Sequence, residues 1–268
     1  MIFPFERRRY RQFIYVIRVM EKSCKYIARL AKTDKDVRLT QALRANQFGA
    51  NSICGGMETD KFDANCNHVL IEDTTTGVLH GCFRFMDFAS GGDVSNSYSA
   101  QYYDLERLKG YDKPMLEIGR FCVRGGVRDY AVLRVAWAYL TRYVDHHHIA
   151  LIFGCASFDG VNPLKYINAF ALLKKHYLAP DKLKPQIKAV EVFDFAAELS
   201  QYTPTLNVAN QNMPALLRTY LGMGGWVSDH AVVDRKLGTL HVFTGVEVSA
   251  IPKARARSLR TNAGVIEA

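Results

Sequence analysis

The chain has 268 residues, of which 49% are hydrophobic, and a formal net charge of +9. These values fit one large globular domain with a full core, and because no run of eighteen apolar residues occurs, they exclude a membrane-spanning helix. Charged residues stand at positions 6–9 and no long apolar segment follows them, so we expect no secretory signal. The six cysteines form no CxxC pair, which favours reduced thiols in a cytoplasmic protein over a disulfide framework.

The positive charge is concentrated at the two ends of the chain. Residues 1–32 contain nine Lys and Arg against two Glu, and residues 253–268 contain four against one Glu. The middle of the chain is nearly neutral. This distribution favours ends that contact an anionic partner over a domain that binds nucleic acid generally.

Residues 8–32 show apolar positions at three- and four-residue steps, which predicts a basic amphipathic helix. Such a helix could lie on the anionic surface of a membrane, or it could simply pack on the domain by its apolar stripe. Nucleic-acid binding by its arginines is the weaker third interpretation. With the basic C-terminal stretch, this pattern predicts three parts: an N-terminal helical extension (1–35), a folded domain (36–250) and a basic flexible tail (251–268).

The domain itself alternates helical and strand patterns. An apolar strand, a basic glycine turn and a helix-period segment follow one another between Met115 and Trp137, and another buried strand comes next. This order predicts an α/β domain with a mixed sheet around one parallel crossover. The predicted helices are 36–48, 163–178 and 214–222, besides the one ending at 146–148; the predicted strands are 68–73, 78–86, 115–123, 149–158, 187–195, 226–233 and 240–248.

The strand–loop–helix unit at Met115–Trp137 organises the predicted site. Its loop, Arg124–Asp129, precedes a helix, and free N–H groups at a helix N-terminus suit a phosphate. Glu117 and Arg120 lie three residues apart on the strand, so a regular strand would place them on opposite faces. A bulge is needed to bring both into one cleft. We interpret this unit as the active centre of an acyl-transfer enzyme.

Other polar clusters admit simpler explanations. Asp60 and Asp63 could hold an amine, although Asp near a strand start commonly caps a turn. The three histidines at 146–148 end a helix, where consecutive side chains diverge by about 100° and cannot easily share one ion. Glu117 and Arg120 could form an ion pair with a structural role only. No metal site is predicted.

The ordered motifs resemble those of GNAT-fold N-acyltransferases that depend on acyl carrier protein, in particular the bacterial L-ornithine Nα-acyltransferases of ornithine-lipid synthesis, also called hemolysin-like acyltransferases. The acyl-homoserine-lactone synthases are a more distant likeness. The resemblance covers roughly residues 40–250. It rests on Arg44 and Phe48, Asp60 and Asp63, Cys66 and His68, Gly81 and Arg84, Glu117-Ile118-Gly119-Arg120, Cys122-Val123, Arg128, Gly154-Cys155-Ala156-Ser157-Phe158, Gly160, His176-Tyr177-Leu178-Ala179-Pro180, Tyr220-Leu221 and Val233-Asp234.

The resemblance implies a GNAT-like, mainly antiparallel mixed sheet flanked by helices. It implies transfer of a (3-hydroxy)acyl chain from acyl carrier protein to the α-amine of ornithine, with Glu117 and Arg120 as catalytic residues. The residues expected around the substrate are Arg44, Phe48, Asp60, Asp63, His68, Arg84 and Ser157. Those expected at the carrier's 4′-phosphopantetheine arm are Cys122, Val123, Arg124, Gly125, Gly126 and Arg128.

The expected partners are acyl carrier protein, an amino-acid substrate and an anionic membrane surface contacted by residues 8–32, without nucleic acid. No tightly bound cofactor is expected, because the phosphopantetheine arm belongs to the donor substrate. The expected location is the cytoplasm, with peripheral contact to the inner face of the cytoplasmic membrane.

Three positions depart from the family pattern and leave alternatives open. After Tyr220-Leu221 the family usually has Arg-Leu-Gly, whereas this chain has Gly222-Met223-Gly224, and His241 stands where the family usually has an Asp. Both changes would alter the acceptor pocket. Tyr130 stands where the family usually has a small residue near the carrier arm. One alternative is another acceptor, as in N-acyl amino acid or homoserine-lactone synthases. The other is a non-catalytic binding module tethered to membrane or nucleic acid. The lack of an early Trp argues against a lactone synthase, and the presence of Glu117 and Arg120 argues against the binding module.

Overall fold

The structure is a computed structural model that describes residues 25–48, 53–54, 56–125 and 130–264. Its strands are β1 (Tyr26–Leu30), β2 (Ile53–Cys54), β3 (Met57–Glu58), β4 (Asn67–Asp73), β5 (Leu79–Phe88), β6 (Tyr103–Asp104), β7 (Met115–Val123), β8 (Leu151–Asp159), β9 (Gln186–Ile187), β10 (Val192–Phe193), β11 (Trp226–Val227), β12 (Ala231–Asp234) and β13 (Thr239–Glu247).

Its α-helices are α1 (Asp34–Phe48), α2 (Tyr130–His146), α3 (Ile167–His176), α4 (Phe195–Glu198), α5 (Leu206–Asn212), α6 (Ala215–Leu221) and α7 (Lys253–Asn262). Short 3₁₀ segments lie at Asp63–Asn65, Gly91–Asn96, Ser99–Gln101, Glu106–Gly110, Pro163–Tyr166 and Val248–Ala250. Within these described ranges no helix combines the length and apolarity needed to cross a membrane.

One large sheet forms the centre of the molecule. Its strand order is β1-β4-β5-β7-β8-β13-β12-β10, and β11 also pairs with β13. Every pair is antiparallel except β7 and β8, which α2 connects as a parallel crossover. The mixed, mainly antiparallel sheet predicted from the sequence is therefore confirmed.

Apolar clusters cover both faces of the sheet. On one face, Leu116 and Ile118 pack with the buried side of α2, and Ala156 and Phe158 pack beneath α3, α5 and α6. On the other face, Met115 packs against the segment 91–110, and α1 covers the first strands. Because side chains alternate along a strand, Glu117 shares this second face with Met115.

β7 and β8 separate partway along their length. They pair only from Met115 to Glu117 on β7, whereas β7 stays paired with β5 as far as Val123 and β8 stays paired with β13 throughout. Gly154 lies at the point of separation, where a Cβ atom would come within 2.2 Å of the Ile118 carbonyl oxygen. The result is a gap in the middle of the sheet.

Two predictions about the ends of the chain are wrong where the structure describes them. Residues 26–30 form the edge strand β1, not the end of a helix: Tyr26 and Ala28 are buried in alternation, and Tyr26–Leu30 pairs with Val69–Asp73. The rest of the predicted helix, residues 8–24, lies outside the described residues. The short sequence of β1 suits both a two-residue and a helical period, and pairing with the neighbouring strand decides between them.

The predicted flexible tail (251–268) is instead largely helical. α7 packs against α2, and Arg260 donates two hydrogen bonds of 2.8 Å to Asp145. Leu259 also contacts the core beneath α2. Polar composition alone suggested flexibility, but these contacts hold the helix to the domain. Residues 265–268 lie outside the described part.

Two predicted strands are shorter than expected. The segment 187–195 contains only the two-residue strands β9 and β10, of which β9 pairs with β6 outside the main sheet. The segment 226–233 is divided between β11 and β12 by residues 228–230, whose main chain turns between them.

Candidate active site

A cavity of about 280 Å³ occupies the gap between β7 and β8. Its lining comes from both faces of the sheet: Phe85 and Ile118 belong to the core beneath α2, whereas Met86 and Cys155 belong to the opposite face. A wider groove of about 1100 Å³ beside α7 contains none of the predicted site residues. The cavity in the gap is therefore the candidate site.

A bulge brings Arg120 to this cavity beside Glu117. The register between β5 and β7 shifts between Cys82 and Arg84, and Arg120 has a φ of +53°. That left-handed conformation is uncommon for a residue with a side chain and is characteristic of bulges. Both Glu117 and Arg120 line the cavity, so the bulge predicted from their spacing is confirmed.

Six charged side chains form a closed ring at one end of the cavity. Each arginine contacts two carboxylates and each carboxylate contacts two arginines. In order of contact, the ring consists of Arg44, Glu58, Arg120, Asp60, Arg84 and Asp63, and Asp63 in turn contacts Arg44. We call this arrangement the charge ring. Five of its members were predicted from the sequence, and Glu58 was not.

The contacts of the charge ring are short and mostly buried. Glu58 lies 2.5 Å from Arg44 and 3.0 Å from Arg120, and its side chain is only 2% exposed. Asp60 receives contacts of 2.6 Å from Arg84 and 2.9 Å from Arg120. Three positive and three negative charges make the ring neutral, so each buried charge is compensated.

The two aspartates pair with arginines of the charge ring, and Asp60 also has the capping role considered from the sequence. Burial raises the pKa of Asp63, but the guanidinium groups of Arg44 and Arg84 outweigh it and leave the pKa well below its usual value. Asp60 also accepts a hydrogen bond of 2.9 Å from the Phe62 N–H, as a turn cap would. Both carboxylates are thus ionised and already paired with arginines.

Glu117 is buried, and its carboxylate accepts three hydrogen bonds. Ser99 donates its backbone N–H at 2.7 Å and its hydroxyl at 2.6 Å, and Tyr98 donates its N–H at 2.8 Å. Burial raises the pKa of Glu117, although these bonds oppose the rise. Arg120 pairs with Glu58 and Asp60 instead, so the proposed Glu117–Arg120 ion pair is wrong. The Arg120 guanidinium lies 4.6 Å from the centre of the Tyr98 ring.

The remaining predicted substrate residues differ in position. Phe48, at the end of α1, and Ser157, on β8, both line the cavity. His68 does not: it lies behind the charge ring, where its Nε2 is 3.0 Å from the Asp63 carbonyl oxygen and its Nδ1 is 3.4 Å from the Thr40 hydroxyl. Burial lowers the pKa of His68. It therefore positions Asp63 rather than facing the cavity.

The predicted phosphate loop is described only in part. The backbone N–H of Arg124 donates to the carbonyl oxygen of His80 at 2.8 Å, and its Nε–H donates to the carbonyl oxygen of Leu79 at 2.8 Å. Both these donors of Arg124 are therefore bound to β5. Since antiparallel pairing alternates, the N–H of Cys122 also points to β5, whereas that of Val123 points towards the gap. Gly125 is exposed beside Gln47. Gly126 and Arg128 lie outside the described residues.

Two cavity residues on β13 escaped the sequence prediction of site residues. Thr239 and His241 line the cavity, and His241 lies opposite Ser157 in the register of β8 and β13. Only the departure of His241 from the family pattern drew attention to it. Among the described residues no cluster of His, Cys, Asp and Glu is suited to hold a metal ion.

Comparison with known proteins identifies relatives. Residues 41–138 match the family model described as an acetyltransferase (GNAT) domain. The L-ornithine N(alpha)-acyltransferase of Brucella abortus is 32% identical over 203 residues, which cover 72% of this chain and 71% of that protein. That of Rhodobacter capsulatus is 29% identical over 239 residues, which cover 84% and 91% of the two chains.

Among solved structures, a CoA-dependent acyl-homoserine lactone synthase, BjaI, with MTA aligns at a TM-score of 0.48 and 12% identity, with 90% of each chain covered. The GNAT family model agrees with the mixed sheet described above. The chain therefore has a GNAT-like fold, is an acyltransferase, and belongs to the L-ornithine Nα-acyltransferase family.

Proposed function

We propose that this enzyme transfers a (3-hydroxy)acyl chain from acyl carrier protein to the α-amine of L-ornithine, forming lyso-ornithine lipid. The observation that carries the proposal is the cavity through the gap between β7 and β8. It joins an apolar end, suited to a hydrocarbon chain, to an end that presents the charge ring. The names of the relatives from Brucella and Rhodobacter support ornithine as the acceptor.

The separated strands suit a thioester donor. The phosphopantetheine arm would lie along the open edge of β7, where the Val123 N–H points into the gap and can stabilise the negative oxygen of the tetrahedral intermediate. The acyl chain would extend between Phe85, Ile118 and Leu216. A thiol is a good leaving group, so positioning of the two substrates supplies much of the rate.

A smaller cavity of about 210 Å³ adjoins the first and suits the amino acid. Arg120 and Tyr98 line both cavities, and Asp60 and Lys236 line only the smaller one. A carboxylate of the substrate can approach the arginine, and an ammonium group can approach the aspartate. The acceptor would thus meet the thioester beside Arg120.

Glu117 is the proposed base. Its raised pKa, caused by burial, is favourable for removing a proton from the attacking ammonium or amine, directly or through water. The amine nitrogen then bonds to the carbonyl carbon, the C–S bond breaks, and the phosphopantetheine thiol leaves with a proton. One oxygen of Glu117, Oε2, accepts only one hydrogen bond from the described residues and has a lone pair left for this proton.

The test is a mass-spectrometric assay of the full chain with 3-hydroxyacyl carrier protein and a mixture of amino acids plus S-adenosylmethionine. We expect N-acyl-ornithine. A different N-acyl amino acid would retain the mechanism and replace the acceptor, and the absence of any product with either acyl carrier protein or coenzyme A donors would overturn the proposal.

The Glu117→Gln variant provides the mechanistic control for this assay. We expect it to lower kcat by about a hundredfold or more with little change in KM. Because one amide nitrogen of the new side chain would face an N–H donor, the melting temperature of the variant must be measured alongside. A folded variant with wild-type kcat would remove Glu117 as the base.

Two partner contacts are also part of the proposal. Acyl carrier protein is acidic, so Arg124 and Arg134 near the start of α2 could guide its docking. Basic residues that precede β1 could contact an anionic membrane, which would place the enzyme near its lipid product. Co-sedimentation with anionic vesicles, with and without residues 1–24, tests the membrane contact; equal binding of both forms would contradict it.

A further inference from the structure

Two side chains on β13 that line the cavity carry buried polar atoms with no hydrogen-bond partner among the described residues. They are Nε2 of His241 and Oγ1 of Thr239. The two residues are separated by one position and therefore lie on the same face of the strand. Buried polar atoms are nearly always satisfied, so a pair left open in a substrate cavity indicates a substrate group that binds there.

The hydrogen bonds of Tyr103 determine which nitrogen of His241 carries the proton. Tyr103 donates its hydroxyl hydrogen to the His241 carbonyl oxygen at 2.8 Å. Its oxygen also lies 3.1 Å from Nδ1 of the same histidine. The hydroxyl has only one hydrogen, so both contacts are hydrogen bonds only in the tautomer in which Nδ1–H donates to the Tyr103 oxygen. Nε2 is then the unprotonated nitrogen, and it can only accept a hydrogen bond.

The surroundings of His241 favour a neutral donor. The side chain is 2% exposed, and burial lowers its pKa to about 4, so the imidazole is neutral at physiological pH. Asp234 favours a positive charge at this point, whereas Arg120 and His230 oppose it. The burial that keeps the imidazole neutral also disfavours an ammonium group beside it. A hydroxyl group fits better than an amine of the acceptor.

A hydroxyl also matches both open atoms. It can donate its hydrogen to His241 Nε2 and accept one from the Thr239 hydroxyl. The pair lies next to Ser157 on β8 and shares the cavity with the apolar residues proposed to hold the chain. A hydroxyl close to the thioester end of an acyl chain would reach this part of the cavity.

We propose that His241 and Thr239 bind a hydroxyl group of the acyl chain, and that His241 is the residue by which the enzyme distinguishes hydroxyacyl donors from unsubstituted ones. This inference rests on the proposed acyl transfer and adds the residue that reads the donor. It assigns the unusual histidine to the acyl chain instead of the amino acid.

The test compares two donors on each enzyme: 3-hydroxyhexadecanoyl and hexadecanoyl carrier protein, with ornithine as acceptor. The measured quantity is the ratio of kcat/KM for the two donors, which does not depend on the fraction of active protein. For the wild type we expect the hydroxylated donor to be preferred by about ten- to a hundredfold, because the unsubstituted donor leaves buried polar atoms unpaired.

His241→Phe removes the acceptor atom and should reduce the ratio to near one. His241→Gln places an amide oxygen near the position of Nε2 and should restore most of the preference. Thr239→Val should lower the ratio by a smaller factor. Both His241 variants lose the contact between Nδ1 and the Tyr103 hydroxyl and keep the one to the backbone carbonyl. The comparison therefore separates hydrogen bonding to the donor from a general effect of changing a buried residue.

Equal use of both donors by the wild type, or an undiminished preference in His241→Phe, would overturn the inference while leaving the proposed function intact. Loss of preference in both His241 variants would assign the selectivity to packing and would also overturn it. If neither donor is used with any amino acid, the proposed function itself fails.

Discussion

Substitution of Glu58 by Gln tests whether the charge ring holds the site together. The change keeps the shape of the side chain but removes one of three negative charges. Glu58 contacts Arg44, which is 1% exposed, and Arg120, which is 9% exposed, so water cannot replace the lost charge easily. The ring would then contain three positive and two negative groups in a largely buried position.

The expected cost follows from this burial. Removing one partner of a buried ion pair typically destabilises a protein by about 3–5 kcal/mol. For a chain of this size, that corresponds to a decrease in Tm of roughly 10 °C. The control is Glu72→Gln, which removes the same charge from a bidentate pair with Arg29 at 2.6 and 2.7 Å. Arg29 is 30% exposed, so we expect a loss of about 1 kcal/mol or less there.

Urea unfolding followed by circular dichroism measures both variants. The double variant Glu58→Gln/Arg120→Gln provides a second measurement, because it restores equal numbers of charges. We expect its loss of stability to be smaller than the sum of the two single losses by more than about 1 kcal/mol. A Glu58→Gln loss no larger than that of Glu72→Gln, or strictly additive losses, would refute the reasoning.

Three further predictions concern the cavity. Ser99→Ala removes a hydroxyl that donates a 2.6 Å hydrogen bond to Glu117, so the pKa of Glu117 should rise. The acidic limb of the pH profile of kcat/KM should then move to higher pH by up to about one unit. An unmoved limb would argue against Glu117 as the base. Gly154→Ala should lower the free energy of unfolding in urea by about 1–3 kcal/mol, because the new Cβ would overlap the Ile118 carbonyl oxygen. In the control Gly119→Ala the new Cβ meets no atom within 4 Å, so the loss of stability should be smaller. Equal losses would contradict this explanation. In the unfolded state the histidine takes up a proton near pH 6.5, whereas in the folded protein His241 takes one up only near pH 4. When the pH is lowered from 6.5 to 4, the free energy of unfolding of the wild type should therefore decrease by up to about 3 kcal/mol. The decrease should be smaller in His241→Gln. Burial also lowers the pKa of His68, so its titration contributes to both curves and the measured quantity is the difference between the two proteins. Parallel curves would refute the assignment.

The central unit of the fold could be predicted from the sequence with some accuracy. β7 begins and ends at the predicted residues, and α2 follows the basic loop as expected, because an apolar strand, a glycine turn and an amphipathic helix each leave a local pattern. β1 was missed because five residues suit either period. The choice was made by the neighbouring strand β4, which sequence patterns do not reveal.

The sequence indicated most of the residues that form the site, but not which of them contact each other. The spacing of Glu117 and Arg120 indicated a bulge, and family order indicated five residues of the charge ring. Glu58 was missed because it lies in a two-residue strand beside an irregular glycine-rich segment. The partners of Glu117 were also missed, since Tyr98 and Ser99 belong to a loop without periodicity. Tertiary packing decides which charged groups form pairs, and the spacing of residues along the chain does not reveal that packing.

The charge ring also constrains how this sequence can change during evolution. A single mutation that removes one charge leaves a buried residue of the opposite sign without compensation, and most such intermediates would lose stability. Neutral drift at these six positions is therefore slow, and accepted changes should come as pairs that remove or exchange one acid and one base together. Selection for a new amino-acid acceptor would act more readily on Lys61, Gln101 and Lys236, which line the smaller cavity outside the ring.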